Sequence, residues 1–331
     1  MNILVLDVAA SESGALTVLN EYYKACGKDA ENRYFFCVGR PELESAGNIE
    51  VLRFPWVKRS WLHRIWFDRF FVPKLIRKCQ ADRVFSLQNM IPGNPKCEKW
   101  VYLHQSIPFV EARFSLWKAP KLWVIQTVMG RMICASLRKA DRVIVQTKWM
   151  REAAAKKSGA SRDKFVVEPP KLDESEIVRC TNRETARGRL FYPATPFVYK
   201  NHRILLEALR LLKERGELGD IRLTLTIDGM ENKLSSELLR YAKEHGLPVD
   251  FVGRLPREEV LRRYAESTLI FPSYVETVGL PLLEARRAGA PILASDCAFS
   301  REILDGYDSA AFFDSFDAEA CAREIERLDR A

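Results

Sequence analysis

Two glutamates, Glu276 and Glu284, stand eight positions apart in the stretch FPSYVETVGLPLLEARRAGAPILASD, residues 271–296. Gly279, Leu280 and Pro281 lie between them. The apolar run before them ends at Pro272 as a strand would, and Pro281 suits the first turn of a helix. Thr277, Val278, Gly279 and Leu280 would then offer unpaired backbone N–H groups at a helix start, where the dipole also favours an anion. Glycine at 279 lets a ligand approach the main chain closely. A diphosphate fits such a place. Carboxylates beside it would repel phosphate unless aimed elsewhere, and the hydroxyls of a sugar and a ribose are their natural partners. An ordinary capped helix with both glutamates in solvent is the plainer alternative; Gly279, Pro281 and the strand together weigh against it.

Other residues of chemical interest are dispersed. Lys200 follows a short apolar run in LFYPATPFVYKNHR, residues 190–203, where a solvated loop cation is the plain reading. His104 ends the run Trp100–His104 and is one of only four histidines. Ser13-Gly14 follows the first apolar run, and FVGRL, residues 251–255, sets Gly253, Arg254 and Leu255 after another. No G-x-G-x-x-G is present, which disfavours a dinucleotide dehydrogenase. No Asp-x-Asp stands at a strand end, and the eight cysteines are scattered singly, so neither a metal site nor a disulfide frame is expected.

The elements that must position these residues alternate. Strands are expected at residues 3–8, 34–38, 83–87, 100–104, 142–147 and 165–167, with helices such as 15–25, 124–139 and 148–158 between them. Pro169-Pro170 then stops regular structure, and KLDESEIVRCTNRETARG, residues 171–188, is polar and aperiodic. The rhythm restarts with strands at 190–194, 222–228, 249–252, 268–272 and 292–295, and helices at 202–215, 232–245, 257–266, 280–288 and near 300–304. Such alternation predicts an α/β chain of two doubly wound parallel sheets: residues 1–170, a linker 171–188, and residues 189–331. At 331 residues the chain is long enough for two cores.

The formal charge of +8 implies an acidic partner. Residues 53–78, RFPWVKRSWLHRIWFDRFFVPKLIRK, carry eight Lys/Arg, one acid and seven Trp/Phe, a mixture suited to an anionic membrane or to single-stranded nucleic acid. A core helix with a basic outer face is the plainer reading. Arg59, Arg64 and Arg69 are the candidate head-group contacts, and Pro55 and Pro73 bracket the segment. No apolar stretch reaches the ~18 residues of a spanning helix, and MNILVLDVAA reads as a first strand rather than a leader, so a cytoplasmic chain is expected.

The pattern Pro-Ser-x-x-Glu-Thr-x-Gly-Leu-Pro-x-x-Glu-Ala, followed by Gly289-Ala290-Pro291, resembles the signature of retaining glycosyltransferases of family four, the glycosyl transferases group 1. The resemblance implies the GT-B fold, two Rossmann-like domains facing a cleft, the first binding acceptor and the second a UDP- or GDP-sugar. It implies that Glu276 positions the sugar, Glu284 the ribose, and that Lys200 grips the diphosphate. The arginine usual a few residues before this lysine is replaced by Ala194-Thr195. His104 would sit beside the donor sugar, Gly14 near its phosphate, and Gly253, Arg254 and Leu255 along the base; Glu231 matches an acidic position of unassigned role. A retaining, metal-independent hexosyl transfer to a glycan or lipid-linked acceptor follows, in cell-surface polysaccharide synthesis at the inner face of the membrane. No further cofactor and no nucleic acid are expected. A non-catalytic membrane- or nucleic-acid-binding protein and a GT-B sugar-nucleotide epimerase are the alternatives. Beyond residue 331 the resemblance would call for further helix returning to the first domain.

Overall fold

The structure is a computed structural model that describes all residues except 11, 12, 94, 183–185, 187 and 331, with the side chains of 13–15, 329 and 330 also left aside. It divides into two units, Met1–Pro169 and Pro170–Ala331. Among the described residues no helix is long and apolar enough to cross a membrane.

The first unit is built on seven parallel strands: β1 (Asn2–Asp7), β2 (Arg33–Val38), β3 (Ile49–Arg53), β4 (Arg83–Ser86), β5 (Glu98–Tyr102), β6 (Arg142–Val145) and β7 (Phe165–Val167). Their order is β3-β2-β1-β4-β5-β6-β7. The central strands are apolar on both sides because helices cover both faces. Helix α1 (Ser13–Cys26) packs through Val18 and Leu19 on Ile3, Val5, Phe36 and Phe85. On the opposite face lie α2 (residues 61–78), α3 (residues 120–139) and α4 (Lys148–Ser158). Phe67, Val72 and Leu75 of α2 meet Leu4, Leu6 and Val84, while Ile133 and Leu137 of α3 meet Val101, Leu103 and Val143.

Both α2 and α3 contain a π turn, at Phe67–Phe71 and Ile125–Met129. The first explains why Pro73, expected to bound the segment, lies inside the rod. A wide turn displaces the carbonyl that a proline ring would strike, and Pro73 falls at the start of the α-helical stretch Val72–Lys78. Gly14, expected in the loop after β1, instead lies in the first turn of α1.

In the second unit the order is β10-β9-β8-β11-β12-β13, again all parallel. The strands are β8 (Arg189–Tyr192), β9 (Arg222–Leu225), β10 (Val249–Phe251), β11 (Thr268–Phe271), β12 (Ile292–Ser295) and β13 (Ala310–Phe313). The helices are α5 (His202–Glu214), α6 (Lys233–Glu244), α7 (Arg257–Glu266), α8 (Leu280–Ala288), α9 (Ala298–Ile303) and α10 (Ala318–Arg330). Part of the segment expected as a linker is docked on this unit. The Cys180 N–H donates to the Ala288 carbonyl at 2.7 Å, and Glu176 pairs with Arg257 at 3.1 Å.

Strands β3 and β13 have no counterpart in the sequence reading. Both are sheet edges, so their residues (IEVLR and AAFF) are half-buried and lack the unbroken apolar run of an interior strand. Alanine also has weak strand propensity.

Candidate functional site

Parallel strands present their C-terminal ends, and the loops that follow, on one edge. In the second unit β8 and β11 are neighbours, so the loops after them meet. Those loops are stitched together. The N–H of Tyr274 and the hydroxyl of Ser273 donate to the Tyr199 carbonyl at 3.1 and 3.3 Å. Asn201, held at a positive φ of 58°, donates its side-chain amide to the carbonyls of Pro272 and Ser315. Buried Tyr192 donates its hydroxyl to the Lys200 carbonyl at 2.8 Å. His202 is buried and its Nε2 lies 3.3 Å from the Ala194 carbonyl, anchoring the loop's other end. Burial lowers its pKa to about 4.

The result is a short ion pair: Lys200 Nζ donates to Glu276 Oε1 at 2.5 Å, with side chains 19% and 15% exposed. These two residues, 76 positions apart, are joined because their strands are adjacent. Beside them Gly279 caps α8 with φ +76°. The positive φ favours glycine, and a Cβ there would press on Leu282 Cδ1 at 3.2 Å and touch the Phe271 ring at 3.4 Å. Thr277 is half-buried, Val278 is buried and Leu280 is exposed.

Glu284 is buried one turn into α8. Its Oε1 accepts from Arg257 at 2.7 Å and its Oε2 from the hydroxyl of buried Tyr264 at 3.0 Å. A carboxylate has about four acceptor sites, so these two donors leave room for a hydroxyl. Arg257 opens α7 directly after the 251–255 loop, tying that loop to Glu284. In that loop Gly253 has φ +69°, Arg254 is exposed and Leu255 is half-buried. Glu231 serves the local backbone, because its two oxygens accept the N–H groups of Asp228 and Gly229 and so close the turn after β9.

In the first unit His104 follows β5. Asn89, at φ 67°, accepts the N–H groups of His104 and Gln105 on its Oδ1 at 2.8 and 2.9 Å. Its amide nitrogen therefore faces His104 Nε2, 3.2 Å away, and donates to it. The ring proton then resides on Nδ1, a buried atom with no protein partner. Burial lowers the His104 pKa to about 4, so the ring is neutral at physiological pH. Nearby strand ends carry two more buried polar groups with unmatched atoms, Asp7 and Gln88. Burial pushes the Asp7 carboxyl up to about 7, against the pull of the Ala10 N–H, Arg64 and Lys58.

Sequence reasoning missed Asn89, Asp7, Arg257 and Tyr264. Asp7 left a legible trace, an acid closing the apolar run ILVLD. The other three act through long-range contacts that no local pattern encodes. Of the three arginines proposed for head groups, Arg64 is engaged inward by Asp68 at 2.8 Å, whereas Arg59 and Arg69 are exposed. Among the described residues no cluster of His, Cys, Asp or Glu could hold a metal ion.

Residues 176–329 match the family of glycosyl transferases group 1. Over 185 residues the chain is 29% identical to the D-inositol 3-phosphate glycosyltransferase of Nocardia farcinica, a stretch that covers 51% of this chain and 41% of that protein. The match thus spans less than half of that relative's length. Sucrose-phosphate synthase from Thermosynechococcus elongatus has the same fold, with a TM-score of 0.74 at 16% identity over 99% of this chain and 89% of the other. Anabaena Alr3699/HepE, solved in complex with UDP and glucose, gives a TM-score of 0.69 at 16% identity with the same coverage.

Proposed function

Since residues 176–329 match the glycosyl transferases group 1 and the fold is GT-B, we propose that the chain moves a hexosyl group from a UDP- or GDP-sugar to a glycan or lipid-linked acceptor with retention of configuration. The Lys200–Glu276 pair beside the Gly279 helix start carries this reading, since it sets a cation, a carboxylate and a helix N-terminus on one strand edge. A protein of the same fold with UDP and glucose bound supports the donor class.

In the proposed reaction the bond between the anomeric carbon and the donor diphosphate breaks while the acceptor hydroxyl bonds to the same face of that carbon. The acceptor proton leaves to a departing diphosphate oxygen. Negative charge grows on that diphosphate, and Lys200 with the N–H groups at Thr277–Leu280 stabilises it more as the bond lengthens. Glu276 orients the sugar hydroxyls, Glu284 the ribose, and the 253–255 loop lines the base. Roles in donor binding are also proposed for His104, whose neutral ring carries its proton on Nδ1, and for Gly14. No divalent ion is required; an undiminished rate in EDTA is the expected result.

We place the reaction at the cytoplasmic face of the membrane, in surface-glycan synthesis. The decisive experiment is a panel of UDP- and GDP-sugars tested by thermal shift, then by transfer. A bound donor raises the melting point. Failure of every nucleotide sugar to do so would overturn the assignment.

A further inference from the structure

Among the described residues of the first unit, the large hydrophobic side chains that stand exposed are not scattered. Apart from Met1 they are Trp61, Leu62, Ile65, Trp66 and Phe70 on α2, and Leu116, Trp117, Val124, Val128 and Met132 on α3 or the turn entering it. Their spacing is that of helix stripes: 61/65, 62/66/70 and 124/128/132. The two rods occupy the same face of the sheet. Leu6 packs under α2 and Val101 under α3, and the register pairs Leu6 with Ser86 and Ser86 with Val101, which puts both side chains on one side. Helix α1 covers the opposite side.

Charge follows the same layer. Arg59, Arg69, Lys74, Arg77 and Lys78 are exposed on or just before α2, as are Lys118, Lys121 and Arg131 at α3. The acid of α2, Asp68, is taken up by Arg64. No Asp or Glu occurs from residue 112 to 140. Trp117, 91% exposed, stands between Leu116 and Lys118 at the entry to α3.

Exposed aromatic stripes flanked by cations without balancing acids match an anionic bilayer, where rings enter the head-group boundary and Lys and Arg meet lipid phosphates. An acidic protein partner would match the cations but leave the stripes without apolar cover, and nucleic acid would leave Val124, Val128 and Met132 unused. We propose that α2 and α3 together form one docking face for an anionic membrane, with Trp117 as its inserting side chain. This deepens the membrane-face part of the proposed function by naming the surface. It adds a second rod to the basic segment 53–78.

The test uses the full chain and vesicles of equal parts phosphatidylcholine and phosphatidylglycerol, with pure phosphatidylcholine as control. Co-sedimentation is expected with the anionic vesicles only. Trp117→Ser, and separately Lys121→Glu with Arg131→Glu, should each lower partitioning roughly tenfold, as should Trp66→Ser with Phe70→Ser on the other rod. Trp117, Lys121 and Arg131 are solvent-exposed, so melting temperature should hold in those variants, whereas Trp66→Ser also removes ring contacts with Trp56 and Phe71 and should lower it; the thermal shift by a nucleotide sugar should persist in every variant. Absence of wild-type binding, or binding that ignores the α3 changes, overturns the proposal. Equal binding to neutral vesicles, or concentration-dependent dimerisation lost in Trp117→Ser, also overturns it. None of these outcomes touches the donor site, which the nucleotide shift reports separately.

Discussion

Lys200 and Glu276 should respond in opposite directions when nucleotide binding is measured, although both are proposed to serve turnover. The Lys200 ammonium donates to Glu276 at 2.5 Å, and both side chains are largely shielded from water. A charge-assisted hydrogen bond of this kind contributes about 1.5–3 kcal/mol. A diphosphate must draw Lys200 away from, or share it with, that carboxylate. Glu276→Gln removes the competing charge and should tighten UDP or GDP by up to roughly tenfold, taking ~1.4 kcal/mol per decade. Lys200→Ala removes the cation and should weaken the same ligands by roughly tenfold to a hundredfold. Turnover should fall in both, by about 100- to 1,000-fold if each group acts mainly on the transition state. Isothermal titration with the nucleoside diphosphate and a transfer assay separate the two effects. Near-normal turnover in Glu276→Gln would refute the sugar-positioning role. Weakened nucleotide binding in that variant, equal to that of Lys200→Ala, would show that the carboxylate holds the lysine in place rather than competing for it.

Asp7→Asn should stabilise the protein above pH 7, because the folded carboxyl titrates at about 7 against a usual 3.8. The folded state therefore holds an extra proton between those values, and stability falls as pH rises through them; the gain at pH 8 is on the order of 2–4 kcal/mol, read from melting curves across pH. An unchanged pH profile in this variant would remove the burial account of Asp7. His104 and His202 act with the reverse sign: each is lowered to about 4 by burial, so their contribution disappears as pH drops from about 6.5 to 4. Asn89→Asp should move the His104 ring proton from Nδ1 to Nε2, since a carboxylate accepts where the amide donates; ring 15N shifts report it directly, and a Nδ1–H spectrum persisting in the variant contradicts the assignment. Glu284→Ala should destabilise the second unit by about 1–3 kcal/mol because the buried Tyr264 hydroxyl loses its acceptor, whereas Arg257, half in solvent, loses less. A melting point identical to wild type would mean that Tyr264 finds another partner.

The legible parts of this chain are those governed by local rules. The α7 and α8 helices and β12 fall at the residues expected of them, since each combines an apolar period with Pro or Gly at its bounds. The helix start at residues 279–281 was legible for the same reason: Gly279 and Pro281 declare a left-handed cap and a first helical turn before any fold is known. What stayed hidden depends on strand order. That Lys200 meets Glu276 follows only once β8 and β11 are neighbours, and that Glu284 answers to Arg257 and Tyr264 follows only once α7 packs beside α8. The basic aromatic segment shows the same limit from the other side. Its composition pointed to an interface, but three arginines were too coarse a guess, because one of them spends its charge on Asp68. Within the π turn at Phe67–Phe71, which no residue pattern announces, Phe67 is core, while Trp66 before it and Phe70 after it are half-exposed. Replacing Phe67 with a smaller apolar residue should disturb the exposed stripe as well as the core beneath it.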